Sequence, residues 1–270
     1  VFSDSFFCVD WTLLKVTHKI ARYGWIRDLP DPRDVFLAMP SPALAASFPA
    51  SVDLRSSCPA PYDQGELGSC TANAIAGAIE FQLTKEAMSQ VFTPSRLFIY
   101  YNERVIRGTV PYDSGAALRE GIQAVTNQGY PPESAWPYEV SQFATAPSAD
   151  AVSQAQGHKL FQSFCLQQNL DHFRNSLADG EPVVFGMTIF ESFETPAVTA
   201  SGVVPMPSMQ EQTIGGHAMM MVGYDDSERF FWVRNSWGNT WGQAGYCQIP
   251  YDYLTDPQLA ADFWTLRTLD

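Results

Sequence analysis

Positive charge is scarce in this chain. Its 270 residues carry 16 Lys and Arg against 29 Asp and Glu, a formal net charge of −13. So acidic a protein argues against nucleic acid or an anionic membrane as partner, because both are gripped by clustered cations. No apolar run reaches about 18 residues, so no membrane-spanning helix is expected. No Cys-x-x-Cys pair occurs, which excludes a zinc knuckle, and no metal or other cofactor is expected. Internal repeats and low-complexity tracts are also missing. The five cysteines, Cys8, Cys58, Cys70, Cys165 and Cys247, are odd in number. They fit one reactive thiol plus up to two disulfides of undetermined pairing, or five reduced thiols. The first residue is Val1, not Met, which reads as a processed product whose signal peptide has gone. With the acidity, it suggests a secreted protein in an acidic or extracellular compartment.

What is present is a globular composition. An apolar fraction of 46% with 7 Trp is enough for a substantial core, in one large domain or two small ones. Residues 40–51, rich in Pro, Ala and Ser, read as a linker. Before it, Val9, Trp11 and Leu13 alternate with polar neighbours, a weak strand signal, and residues 15–23 fit a short helix or a second strand. About fifty residues are too few for a core of their own, so this segment is expected to lie on the larger domain, residues 51–270. After Cys70 the pattern turns helical. Ile75, Ile79 and Leu83 recur every four residues, with Ser69 placed as N-cap. Further helices are predicted over 94–104, 114–127 and 170–177, and strands over 182–190, 217–224 and 229–234. A helical first half and a stranded second half imply an α+β protein with two lobes.

Three residues carry candidate chemistry. Cys70 closes Gln64-Gly65-Glu66-Leu67-Gly68-Ser69-Cys70, His217 lies in Gly216-His217-Ala218, and Asn235 opens Asn235-Ser236-Trp237-Gly238. Thiol, imidazole and carboxamide are the parts of a cysteine nucleophile, its base and the group that orients the base. The two predicted strands flank a polar turn and form a hairpin. The midpoint of His217 and Asn235 falls on Asp226 in that turn, so a symmetric hairpin sets them opposite, with Cβ atoms about 4.5–5.5 Å apart. In the first turn of a helix, Cys70 meets unpaired N–H groups and the positive end of the dipole. With an imidazolium beside it, such a thiol falls from about 8.5 to roughly 3.5–7.5. Gln64, six residues upstream, can fold back to offer its side-chain N–H beside the Cys70 backbone N–H around an oxyanion.

At these positions the chain resembles the papain family of cysteine peptidases, over about residues 51–246. Ser51-Val52-Asp53-Leu54-Arg55 is similar to the family's mature N-terminus. Asp63-Gln64-Gly65, Gly68-Ser69-Cys70, Asp113-Ser114-Gly115, Trp136-Pro137-Tyr138, Gly216-His217-Ala218 and the Asn235–Gly242 stretch follow in the family's order. The resemblance implies a papain-like two-lobed α+β fold, a helical lobe bearing the nucleophile, an antiparallel β lobe bearing His and Asn, and a cleft between. It implies an endopeptidase acting on peptide or protein substrates through an acyl-thioester, with Cys70 as nucleophile, His217 as base and acid, Asn235 as orienter and Gln64 in the oxyanion hole. Trp237 would shield the Asn–His bond, Ser114 and Gly115 match the pair that binds substrate backbone, and Gly216 and Ala218 flank the histidine near the cleft. Cysteine is replaced by Leu67 where the family carries a disulfide, and its partner is absent too. Thr71 replaces the family's Trp, which is expected to alter the cleft wall and specificity. Cys70-Thr71-Ala72-Asn73 and Gly24-Trp25-Ile26-Arg27-Asp28-Leu29-Pro30 resemble bacterial members.

Residues 1–50 admit two readings, an inhibitory propeptide making the chain a zymogen or a permanent lobe or partner-binding arm. The same three residues also suit a transglutaminase-like acyltransferase, and the fold suits a non-catalytic binder. With no acidic residue assigned to the substrate pocket, apolar side chains are the expected preference. Met219, Met220 and Met221 read as core, as does Trp241. His18, His158 and His172 read as structural or surface residues, and Asp225-Asp226 as a solvated turn.

Overall fold

The computed structural model describes residues 23–86, 91–159 and 162–267. The signals at 9–13 and 15–22, together with Cys8 and His18, lie outside the described residues.

Helix α1 (Pro42–Ala45) is a single exposed turn inside the expected linker, capped by the Ser41 hydroxyl. Strand β1 (Ser51–Asp53) then joins the main sheet. Next come α2 (Cys70–Lys85), α3 (Arg96–Arg107) and α4 (Leu118–Asn127). After α5 (Ala149–Ala155) the chain enters β2 (Gln162–Cys165), α6 (Leu170–Ala178), β3 (Val183–Phe190) and α7 (Pro196–Ser201). It closes with β4 (Thr213–Asp225), β5 (Phe230–Arg234), β6 (Tyr246–Pro250), α8 (Tyr251–Thr255) and β7 (Ala260–Arg267). The sheet is antiparallel in the order β2-β7-β3-β4-β5-β6, with β1 added on β4.

Two cores meet at this sheet. On one face Phe173, Phe185, Met219, Phe231 and Trp237 form the β lobe. On the other, Ala218, Met220 and Val222 of β4 pack against Cys70, Ile75 and Ile79 of α2, with α3 and α4 behind. The alternation of β4 therefore sends the methionine run into both cores. Helix α2 is buried all round, and a helix apolar on every side belongs inside. Burying each of Ile75, Ile79 and Leu83 contributes about 1.5–3 kcal/mol. The two lobes agree with the fold read from the resemblance.

Two local expectations need correction. Ser69 precedes α2 but does not cap it. Its hydroxyl is taken by Tyr138 and by Asn73 Nδ2, which donates at 3.1 Å. Helix α4 starts at Leu118, four residues later than predicted, because Gly115 takes φ +71 and Ala116 is held by another segment. No disulfide joins any two of the described cysteines; Cys58, Cys70, Cys165 and Cys247 are free thiols set in different parts of the two cores. No helix among the described residues is long and apolar enough to cross a membrane.

Candidate active site

Cys70 is the first residue of α2, as the sequence predicts, and it is fully buried. The loop before it is tied down from several sides. Gly68 N–H donates to both carboxylate oxygens of Asp113 at 3.1 Å, linking the two loops that the family's missing disulfide would join. Gln64 is also fully buried. Its Nε2 donates to Leu67 O at 2.8 Å, and its Oε1 accepts from the Ser236 hydroxyl at 2.6 Å. One amide N–H remains to be offered elsewhere. Thr71 does not face the cleft. Its hydroxyl donates inward to Glu103 Oε2 at 2.9 Å, so the departure from Trp here is a matter of core, not of cleft wall. Burial pushes the Glu103 carboxyl up to about 8.

The β lobe supplies the imidazole. His217 lies on β4, and Asn235 immediately follows β5. They do not sit directly opposite each other. The pairs run Met220↔Arg234 and Met221↔Val233, then shift by a bulge before Gly223↔Trp232. The two residues are diagonal neighbours beyond the last pair, still within side-chain reach. His217 Nε2 and Asn235 Oδ1 are 2.8 Å apart. The same oxygen accepts from Ser236 N–H at 2.8 Å, so Nε2 carries the proton and Nδ1 keeps its lone pair. Nδ1 is buried and has no hydrogen-bond partner among the described residues. Trp237 covers the pair, its ring 5.1 Å from the imidazole, and Trp241 packs edge-on behind it in the core.

The comparisons with known proteins decide the family. Residues 48–260 match the profile described as papain family cysteine protease. The chain belongs to the papain family of cysteine proteases. It is 39% identical to xylellain, a cysteine protease from Xylella fastidiosa, with a TM-score of 0.86 over 96% of this chain and 100% of that one. An uncharacterized peptidase C1-like protein of Acanthamoeba polyphaga mimivirus is 38% identical over 93% of this chain and 88% of its own length. Digestive procathepsin L 3 of Tenebrio molitor shares the fold at a TM-score of 0.66 and 21% identity, over 87% of this chain and 76% of that one. This chain is a cysteine peptidase, a hydrolase acting on peptide or protein substrates.

The peptidase's cleft is filled by its own residues 23–26. Trp25 N–H donates to Gly216 O at 2.9 Å, Ile26 N–H to Ala116 O at 2.9 Å, and Ala116 N–H to Gly24 O at 2.8 Å. Tyr23 sets its ring edge-on to His217, at 5.9 Å. Trp25 lies over Gly186 and Gly216 and donates its indole N–H to Asp262 Oδ2 at 3.0 Å. Beyond the cleft, Arg119 pairs with Asp34 at 2.6 Å and Asp28 at 3.6 Å, and Val35 and Leu37 hydrogen-bond along Cys165 of β2.

This cover sets the protonation states. Burial pushes the Cys70 thiol up to about 12, although backbone N–H groups of Ala218, Gly24 and Thr71 offset part of the effect. Burial also pushes His217 down to about 4, against the bond to Asn235. Both groups are neutral at neutral pH while the segment is in place. The thiolate–imidazolium pair expected from the sequence is therefore not formed while the cleft is covered.

Gly115 and Gly216 border the segment, and the backbone N–H of Ala218 faces Cys70. Ser114 does not touch the segment through its hydroxyl, which bonds Thr109 at 2.6 Å and Gly115 O at 3.0 Å. On the helical side of the cleft the backbone hydrogen bonds to the segment are made by Ala116, which no sequence motif singles out. Gly186 and Asp262 were also missed. Nothing in Val184-Phe185-Gly186-Met187 or Ala261-Asp262-Phe263 marks a pocket until β3 and β7 pair.

Proposed function

We propose that Cys70 is the nucleophile, His217 the general base and acid, and Asn235 the residue that orients the imidazole. Once the cleft is open, the Cys70 thiolate attacks the substrate carbonyl and a tetrahedral oxyanion forms. The free N–H of Gln64 and the Cys70 backbone N–H stabilise it. Protonated His217 gives its proton to the leaving amine, leaving an acyl-thioester. His217 then takes a proton from water, whose oxygen displaces the sulfur and releases the acid. Trp237 keeps water from the His217–Asn235 bond, and Ser114 acts only through the position of Gly115.

We infer further that residues 1–50 are an inhibitory segment and that residues 51–270 are the peptidase domain. The carrying observation is the Tyr23-Gly24-Trp25 stretch seated on Cys70 and His217. The backbone N–H of Gly24 is among the groups that lower the Cys70 thiol against the effect of burial, which supports the reading that the segment lies over the sulfur. The exposed turn around α1 is where proteolysis would free it. A net charge of −13 suits a secreted enzyme of an acidic or extracellular compartment. Incubating the purified chain with limiting protease and following both peptide hydrolysis and mass tests this reading. Loss of a piece of about 5 kDa together with gained activity supports it; full activity with the segment retained contradicts it.

A further inference from the structure

One peptide group in the loop before Cys70 is held from both ends. Its oxygen, Leu67 O, accepts from Gln64 Nε2 at 2.8 Å. Its N–H, that of Gly68, is shared between the two carboxylate oxygens of Asp113, at 3.1 Å from each. A peptide group is planar, so fixing the N–H fixes the direction of the oxygen. A carboxylate on the N–H also polarises the group and strengthens the bond its oxygen accepts.

Asp113 is itself held in place. The Tyr100 hydroxyl donates to Asp113 Oδ1 and accepts from Gly115 N–H at 3.1 Å. Tyr100 is fully buried on α3, and burial together with the Asp113 charge pushes its phenol up, so the hydroxyl keeps its proton and stays a donor. One turn further along α3, the Arg104 guanidinium donates to Val110 O at 2.7 Å and Tyr112 O at 3.3 Å, which fixes the loop ahead of Asp113. Neither 64–69 nor 109–116 contains a cysteine, so a carboxylate alone makes the link. It stands between the loop that carries Gln64 and the Gly115–Ala116 backbone that lines the cleft.

We propose that Asp113 is a positioning residue of the oxyanion hole: through the Leu67–Gly68 peptide it holds the Gln64 amide in the orientation that leaves one N–H for the oxyanion. The inference rests on the reading of Gln64 as an oxyanion donor. The amide has two N–H groups and one oxygen to place. Ser236 takes the oxygen at 2.6 Å and Leu67 O takes one N–H. With Asp113 gone, the Leu67–Gly68 peptide is free to turn, Leu67 O swings away, and the amide rotates to find another acceptor. The second N–H then leaves the position where the oxyanion forms. A tie that merely joined two loops would leave Gln64 indifferent to Asp113; a shared peptide plane makes the two interdependent.

The test is a double-mutant cycle in kcat on one fluorogenic peptide, run on the full chain after proteolytic activation. Asp113→Ala is expected to lower kcat by about tenfold or more. In a Gln64→Ala background the amide it orients is missing, and the same change is expected to cost less than about threefold. An equal loss in both backgrounds overturns the proposal, because a loop tie or a damaged fold acts whether or not Gln64 is present. Where Asp113→Ala lacks a cooperative thermal transition, Asp113→Asn runs the same cycle. It keeps the volume and one acceptor oxygen but loses the charge, so kcat is expected to fall by about threefold or more. A kcat equal to the parent's in Asp113→Asn overturns the proposal. Gln64→Ala separates the two claims. A Gln64→Ala variant with the parent's kcat contradicts the oxyanion reading, and the proposal falls with it. A loss of roughly 10²–10³ in Gln64→Ala, with the Asp113 loss undiminished on top of it, strikes the proposal alone.

Discussion

A Cβ on Gly24 would stand 1.7 Å from the carbonyl oxygen of Gly68. The segment over the cleft, proposed as inhibitory, therefore crosses the loop before Cys70 at a distance only glycine permits. Forcing extra volume into a packed contact costs about 1–3 kcal/mol. Gly24→Ala is expected to shift the covered state toward the open one by roughly fivefold to 150-fold. The intact chain should gain peptidase activity accordingly, measured with a fluorogenic peptide before any processing. An intact variant as latent as the parent would show that the crossing tolerates a side chain.

The bond between His217 and Asn235 should matter to turnover more than to binding. Removing a hydrogen bond to a charged group costs about 1.5–3 kcal/mol, so Asn235→Ala is expected to lower kcat by roughly 10–150-fold with little change in KM. Gln64→Ala should lower kcat by roughly 10²–10³. Steady-state kinetics of processed enzyme check both, and a loss confined to KM would contradict the assigned roles.

Two buried groups, one on the segment and one beneath it, respond to pH with opposite sign. Burial and the neighbouring Asp262 push the Asp28 carboxyl up to about 7, so the covered state holds a proton that the open state gives up. Docking through Asp28 is complete below the usual carboxylate range and weakens as the pH rises through about 7. His217 is pushed down to about 4, so its contribution to docking is present above the usual imidazole range and is lost as the pH falls toward 4. Across mildly acid pH the two oppose each other. Asp28→Asn removes one of them. That variant should be more latent than the parent at pH 8 and should open on acidification from about 6.5 towards 4. Latency followed against pH in both chains checks this, and parallel profiles would contradict it.

Thr71 offers a test of which side of α2 it serves. Thr71→Val leaves the Glu103 carboxyl buried without its donor at 2.9 Å. A buried group left unsatisfied costs about 1–3 kcal/mol. The thermal midpoint should fall while the order of preferred peptides stays as in the parent. A changed order with no loss of stability would return Thr71 to the cleft wall.

How far the sequence reached follows from separation along the chain. The four-residue spacing of Ile75, Ile79 and Leu83 announces α2, because local periodicity is enough to specify a helix face. The His217–Asn235 contact was legible from hairpin symmetry, although the bulge at Met221–Gly223 displaces the register and leaves the two diagonal. Gly186 and Asp262 were illegible, since their pocket exists only when two distant strands pair. The neutral state of Cys70 was equally hidden. Its helix-end position argues for a thiolate, and only the tertiary placement of Tyr23, Gly24 and Trp25 overrides that field by excluding water.

The most direct measurement is the alkylation rate of Cys70 by iodoacetamide at pH 6, mapped by mass spectrometry in the intact chain and in the intact Gly24→Ala, Trp25→Ala double variant. A sulfur sealed beneath its own N-terminal segment should react more slowly than a free thiol in the parent and at least about 10²-fold faster in the variant, where imidazolium and helix end stabilise the thiolate. Equal rates in the two chains would contradict the account.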